Sequence, residues 1–182
     1  MWQPAGVLMP RAPRAAAAGL LLALALPALA ACRTSPDVAA YVGDARVTVA
    51  ELVPEIVEWA RGPMAALTAG CLDDPRIQLV MADVADAIAA GSGAYDAILL
   101  DVDNGPDGLV RADNDRLYSP TGLAAARAAL TPGGVLAVWS AAPDPAFAKR
   151  LARAGFAVQE EAVRARSNGK GPRHVIWFAT HS

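Results

Sequence analysis

Three short apolar runs that each end in a carboxylate, separated by stretches of helical character, constrain this chain more than any other feature. Arg46-Val47-Thr48-Val49-Ala50 ends at Glu51, Ile77-Gln78-Leu79-Val80-Met81-Ala82 ends at Asp83, and Ala97-Ile98-Leu99-Leu100 ends at Asp101. A fourth run, Val135 to Trp139, ends at Ser140. Nearly continuous apolar runs of this kind suit strands covered on both faces, as in parallel sheets.

The intervening segments carry helix signals. Pro54 opens a helix where its missing N–H costs little, and Leu52, Ile56, Trp59 and Ala60 share one face at helical spacing. Gly70 marks its stop, and Asp73-Asp74-Pro75 is a turn. Ala85 to Ala90 forms a short helix closed by Gly91-Ser92-Gly93. Ser119 caps the next helix with Pro120 as its first residue, and Thr131-Pro132-Gly133-Gly134 turns into the fourth strand. Asp144-Pro145 repeats the cap-plus-proline start, and Gly155 stops that helix. Phe156 to Val163 and His174 to Thr180 are two further strands, joined through Ser167-Asn168-Gly169-Lys170-Gly171 as a hairpin-like connection. Strand–helix alternation implies right-handed crossovers and a parallel sheet. The final strand pair allows one antiparallel strand, at the sheet edge or inserted in it.

A length of 182 residues suits one domain, and an apolar content of 54% argues against disorder. A formal charge of −2 without a basic stripe argues against nucleic-acid binding, which needs phosphate neutralisation. Cys32 and Cys71 form no CxxC pair, and the histidines, His174 and His181, lie near the end of the chain. A structural zinc site and a disulfide framework are both disfavoured.

Residues 1–45 form an atypical N-terminal segment, and residues 46–182 form the domain. Arg11 and Arg14 precede an apolar run from Ala15 to Ala31, too short and Ala-rich for a membrane span. The pattern fits a secretory signal, and Leu29-Ala30-Ala31-Cys32 resembles a lipobox in which Cys32 is acylated. A chance Ala/Leu pattern, a helix of the domain, or an N-terminus from a different reading frame are the alternatives. Arg33 to Asp44 reads as a polar linker.

In open α/β sheets, ligands bind beyond the carboxyl ends of the strands. Glu51 suits hydrogen bonds from ribose hydroxyls, or capping of the following helix. Asp83 suits an exocyclic amine such as that of adenine, or capping of the helix that begins near Val84. Asp101 and Asp103 suit removal of a proton from an amine or hydroxyl nucleophile, and clustered carboxylates raise one another's proton affinity. The alternative for that pair is a solvated acidic loop. The segment from Val102 to Tyr118 is long, polar and acidic, as functional loops often are.

The runs VTVAELVPEIVEWARG, DDPRIQLVMADVADAI, YDAILLDVDNGPDGL and LYSPTGLAAARAALTPGGVLAVWSA together resemble spermidine synthase-like proteins, members of the wider class I methyltransferase fold. The resemblance covers roughly Arg46 to Ser182. It implies a three-layer, Rossmann-like α/β sheet, mostly parallel with an antiparallel strand near the C-terminus, and here a first strand that is missing or atypical. It implies a site for S-adenosylmethionine or its decarboxylated form, with Glu51 on the ribose, Asp83 and Val84 at the adenine, and Asp101 deprotonating the attacking amine. The family's second aspartate falls at Asn104, before Gly105-Pro106, so Asp103 is its stand-in. Tyr118 and Asn114-Asp115-Arg116 either line the pocket or form ordinary loop structure.

Two family features are not recognisable. A glycine-rich turn belongs roughly 20 residues before the ribose acid, yet Leu20 to Val42 contains no glycine. The family's N-terminal hairpin domain has no counterpart either. The resemblance implies a cytoplasmic transferase of polyamine biosynthesis, moving an aminopropyl or methyl group to an amine such as a polyamine. It also implies homodimers, no metal and no nucleic acid. A catalytically inactive remnant, or an exported lipoprotein binding module anchored through Cys32, remain open. Only that last reading involves a membrane.

Overall fold

The computed structural model describes residues 6–10, 46–51, 53–102, 105–106, 114–164 and 171–182. One sheet organises them. Its strands are β1 (Gly6–Pro10), β2 (Val47–Glu51), β3 (Ile77–Met81), β4 (Tyr95–Leu100), β5 (Leu130–Ser140), β6 (Phe156–Arg164) and β7 (Arg173–His181). The spatial order is β3-β2-β1-β4-β5-β7-β6. Strands β2 and β3 pair in parallel, as do β4 and β5. Strand β7 is inserted between β5 and β6, antiparallel to both. The expected antiparallel strand near the C-terminus therefore takes the inserted position rather than the edge.

The first strand is the atypical element. Gly6–Pro10 lies between β2 and β4 and runs antiparallel to each. Part of the segment expected to stand apart from the domain thus lies inside the sheet, and it precedes the Ala/Leu run. The lipobox cysteine Cys32, the linker 33–44 and the hairpin residues 167–170 lie outside the described residues.

Helices α1 (Pro54–Arg61) and α2 (Ala65–Thr68) connect β2 to β3. Helix α3 (Val84–Ala90) precedes β4, α4 (Asp115–Tyr118) and α5 (Pro120–Ala129) precede β5, and α6 (Pro145–Arg153) precedes β6. The chain moves one way across the sheet from β2 to β3 and the other way at each later crossover. Right-handed connections therefore place α1 and α2 on one face, and α3, α5 and α6 on the other. Three layers result.

Local chemistry sets the helix starts. Asp83 caps α3 by accepting from the Ala85 N–H at 2.8 Å. Ser119 caps α5 by accepting from the Gly122 N–H at 3.1 Å, with Pro120 as first helical residue. Asp144 accepts from the N–H groups of Ala146 and Phe147 ahead of α6. Each cap satisfies backbone donors that lack a partner within the helix. In the turn before β3, the Arg76 side chain and backbone N–H both bond Asp74 and lower its carboxyl to about 2.

The core lies under α3, α5 and α6. Leu123, Phe147 and Leu151 from the helices meet Ile98, Leu136, Val138 and Trp177 from the sheet, all fully buried. Burying each such side chain stabilises the fold by about 1.5–3 kcal/mol. Tyr118, Phe147 and Trp177 stack edge to face in series, with ring centroids 5.7 and 5.0 Å apart. The Trp177 indole N–H bonds Glu160 at 2.9 Å, so the buried ring keeps its polar group satisfied.

Two local expectations change. No residue of α1 is buried, and Trp59 is 51% exposed. This helix touches β2 and the short helix α2, at the end of the sheet that stops one strand further on at β3, so it has little surface to bury against. Residues 131–134, expected as a turn before the strand, fall inside β5. Leu130 pairs with Tyr95 and Val135 pairs with Ala97, so the intervening residues bulge out of the ladder. Gly133 supplies the positive φ of 82° that this excursion uses.

Candidate functional site

The three strand-end acids reach one edge of the sheet. Gly6 pairs with Ala50 on one side and Leu100 on the other. Glu51 and Asp101, each one residue further on, are therefore level across β1. Two strand spacings separate their backbones, about 10 Å. Glu51 pairs with Met81, and Asp83 follows two residues later on the same edge.

Each acid has a distinct environment. Glu51 is only 6% exposed, so its carboxylate needs hydrogen-bond partners. One oxygen accepts from the Val53 N–H at 2.9 Å. Asp83 divides its two oxygens: Oδ1 caps α3 through Ala85, and Oδ2 pairs with the Arg116 guanidinium. The capping alternative therefore holds for Asp83 whatever else it binds. Val84 is the first residue of α3 and is half-buried. Asp101 is exposed at its rim, yet protein packed against its flank strips part of its hydration and raises its pKa above the usual carboxylate value.

Asp103 and Asn104 lie outside the described residues. The residues on either side are fixed. Tyr118, 1% exposed, donates from its hydroxyl to the Val102 carbonyl at 3.0 Å. The Gly105 N–H reaches the same carbonyl at 3.4 Å. Gly105 has a φ of 93°, and a Cβ there would lie 2.3 Å from Ser140 Oγ. The loop after Asp101 is thus pressed onto the end of β5, in a contact only glycine permits. Ser140, expected at this edge, donates to the Ala142 carbonyl at 2.8 Å and shapes the turn after β5.

Sequence reasoning placed Glu51, Asp83 and Asp101 on one edge but missed what supports them. Tyr118 anchors the loop from the core rather than lining a pocket with its hydroxyl. Its one sequence signal is a large aromatic just before the Ser119-Pro120 helix start. Arg116 reaches Asp83 across 33 positions of sequence, a contact with no local signature.

Among the described residues, no cluster of three His, Cys, Asp or Glu side chains is placed to hold a metal ion. No described helix is long and apolar enough to cross a membrane. Cys71 is half-buried, and burial pushes its thiol pKa up, away from nucleophilic use.

Solved structures share this architecture. Spermidine synthase from Thermotoga maritima superposes with a TM-score of 0.58 at 19% identity, over 74% of this chain and 45% of that one. A spermidine synthase in complex with the transition-state analogue AdoDATO gives 0.56 at 19% identity, over 74% and 44%. The fold is the Rossmann-like fold of the methyltransferases.

Within that fold the sequence points further. Polyamine aminopropyltransferase 1 of Streptomyces coelicolor is 33% identical over 132 residues, 68% of this chain and 24% of that protein. The polyamine aminopropyltransferase of Mycobacterium tuberculosis is 34% identical over 104 residues, 56% of this chain and 19% of that protein. No protein-family model matches the chain. The sequence is thus similar to these polyamine aminopropyltransferases, and its matched stretch spans about a fifth to a quarter of the length of these curated relatives.

Proposed function

We propose that the protein is a transferase that moves an aminopropyl or methyl group from decarboxylated S-adenosylmethionine or S-adenosylmethionine to an amine, with a polyamine as the acceptor class. The observation that carries this reading is the convergence of Glu51, Asp83 and Asp101 on one edge, with lost hydration raising the proton affinity of Asp101. Glu51 would accept from the ribose hydroxyls, Asp83 with neighbouring Val84 would meet the adenine, and Asp101 with Asp103 would face the acceptor. Bound there, the sulfonium donor supplies an electrophilic carbon and leaves as a neutral thioether. Asp101 accepts the proton that the attacking nitrogen sheds, a task favoured by a carboxyl whose pKa is shifted toward neutrality. Holding nucleophile and donor in line supplies the remaining acceleration. Acids at 101, 103, 107, 113 and 115 give the loop a charge suited to attracting a cationic acceptor.

One observation favours a second reading, a non-catalytic remnant. Strand β1 runs antiparallel, so it leaves the sheet at the edge opposite the acids. Among the described residues, the backbone N–H cradle that normally follows the first strand of a nucleotide site then has no counterpart beside Glu51. Calorimetric titration of the purified chain with both donors separates the readings. Micromolar-range binding of either donor, with turnover lost and binding kept in Asp101→Asn, supports the transferase. Absence of heat with both at millimolar concentration leaves the remnant.

A further inference from the structure

We propose that Arg116 is the resident counter-ion of the adenine-facing carboxylate, and that a nucleoside enters by displacing it; the inference rests on the role given to Asp83 above. Asp83 has two oxygens and the structure shows both engaged. Oδ1 is committed to the fold, because losing the Ala85 N–H bond would uncap α3. Oδ2 is the oxygen left for a ligand amine, and the Arg116 guanidinium holds it.

Arg116 is built for this exchange. Its backbone is fixed: its carbonyl accepts from Ser119 Oγ at 2.7 Å, and the next two residues, Leu117 and Tyr118, are buried. The same carbonyl lies 2.0 Å from where a Cβ on residue 122 would stand, so Gly122 keeps the junction tight. The Arg116 side chain, by contrast, is 51% exposed. It can swing into solvent by rotamer change alone. An ion pair this exposed is weak and screened by salt. It taxes adenine binding without blocking it, and it keeps the Asp83 carboxylate paired when no ligand is present.

Adenosine is a suitable probe because it is neutral, so its own contacts with the site have little Coulombic salt dependence. The full chain is titrated with adenosine at low and at molar salt, as wild type and as Arg116→Met. The expected result is two- to five-fold tighter binding to Arg116→Met at low salt, roughly the equilibrium weight of one exposed ion pair. Wild type should close that gap as salt rises, while the variant stays nearly flat. Equal or weaker binding by Arg116→Met, with wild type binding adenosine, overturns the counter-ion role and leaves the adenine role of Asp83 standing. Failure of both proteins to bind adenosine at millimolar concentration removes both.

Discussion

Replacing Tyr118 with phenylalanine removes one atom from the deepest support of the candidate site. The ring is 1% exposed and packs edge to face on Phe147 at 5.7 Å, a contact that Phe reproduces. What is lost is the hydroxyl donating to the Val102 carbonyl at 3.0 Å, where both residues are buried. Leaving a buried acceptor short of its partner costs about 1–3 kcal/mol. For a chain of this size each kcal/mol lowers the melting temperature by about 2–4 °C, so Tyr118→Phe should melt roughly 2–12 °C below wild type. Urea unfolding followed by circular dichroism should show a lower midpoint with an unchanged slope. If the protein turns over, kcat should fall more than KM rises, because Val102 adjoins the proposed base rather than the nucleoside acids. A midpoint within experimental error of wild type would refute the reasoning, since it would mean the loop takes its position from elsewhere.

Gly105→Ala should destabilise the chain and reduce turnover together, since its Cβ would meet Ser140 Oγ at 2.3 Å at a φ of 93°; unfolding and activity assays on one preparation check this, and Ser140→Gly should partly rescue it. Asp101→Asn should be more stable than wild type at neutral pH. Its carboxyl is raised by lost hydration, so its contribution to stability is intact below the ordinary carboxylate pKa and is lost as pH rises through the raised value. Melting temperatures of the two proteins should therefore converge on acidification, and a gap that persists at low pH contradicts the assignment. Leu151→Ala should cost about 2–5 kcal/mol by leaving a cavity under α6, measured by chemical denaturation; a loss below 1 kcal/mol would show that this layer is loosely packed.

The elements easiest to read from the sequence were those whose signals are local. Ser119-Pro120 and Asp144-Pro145 mark helix starts because a side-chain oxygen and a fixed φ act within three residues. The strand-end acids were legible because apolar runs stop abruptly at Glu51, Asp83 and Asp101. What could not be read depends on distant chain. Gly6–Pro10 has no alternation, ends in proline and sits far from the strands it joins, so nothing local marks it as central. The Trp59 face reads as a core stripe, but a stripe needs a surface to cover, and this end of the sheet, one strand from its edge, supplies little. The bulge at 131–134 depends on register against β4, which the Thr-Pro-Gly-Gly pattern does not encode. Asp83 is a cap through one oxygen, as one of its readings had it, and pairs with Arg116 through the other, which no local signal announced. A single residue type at a strand end cannot say how its two oxygens are shared.

The aromatic series from Trp177 through Phe147 to Tyr118 has an effect beyond cohesion. Flat, interlocked rings have few alternative rotamers, so the hydroxyl at the end of the row is aimed by the interior. The backbone next to Asp101 is therefore held in place from the fully buried core. A repacking of Phe147 should therefore shift the carboxylate proposed as the base, although the two residues lie far apart in the sequence.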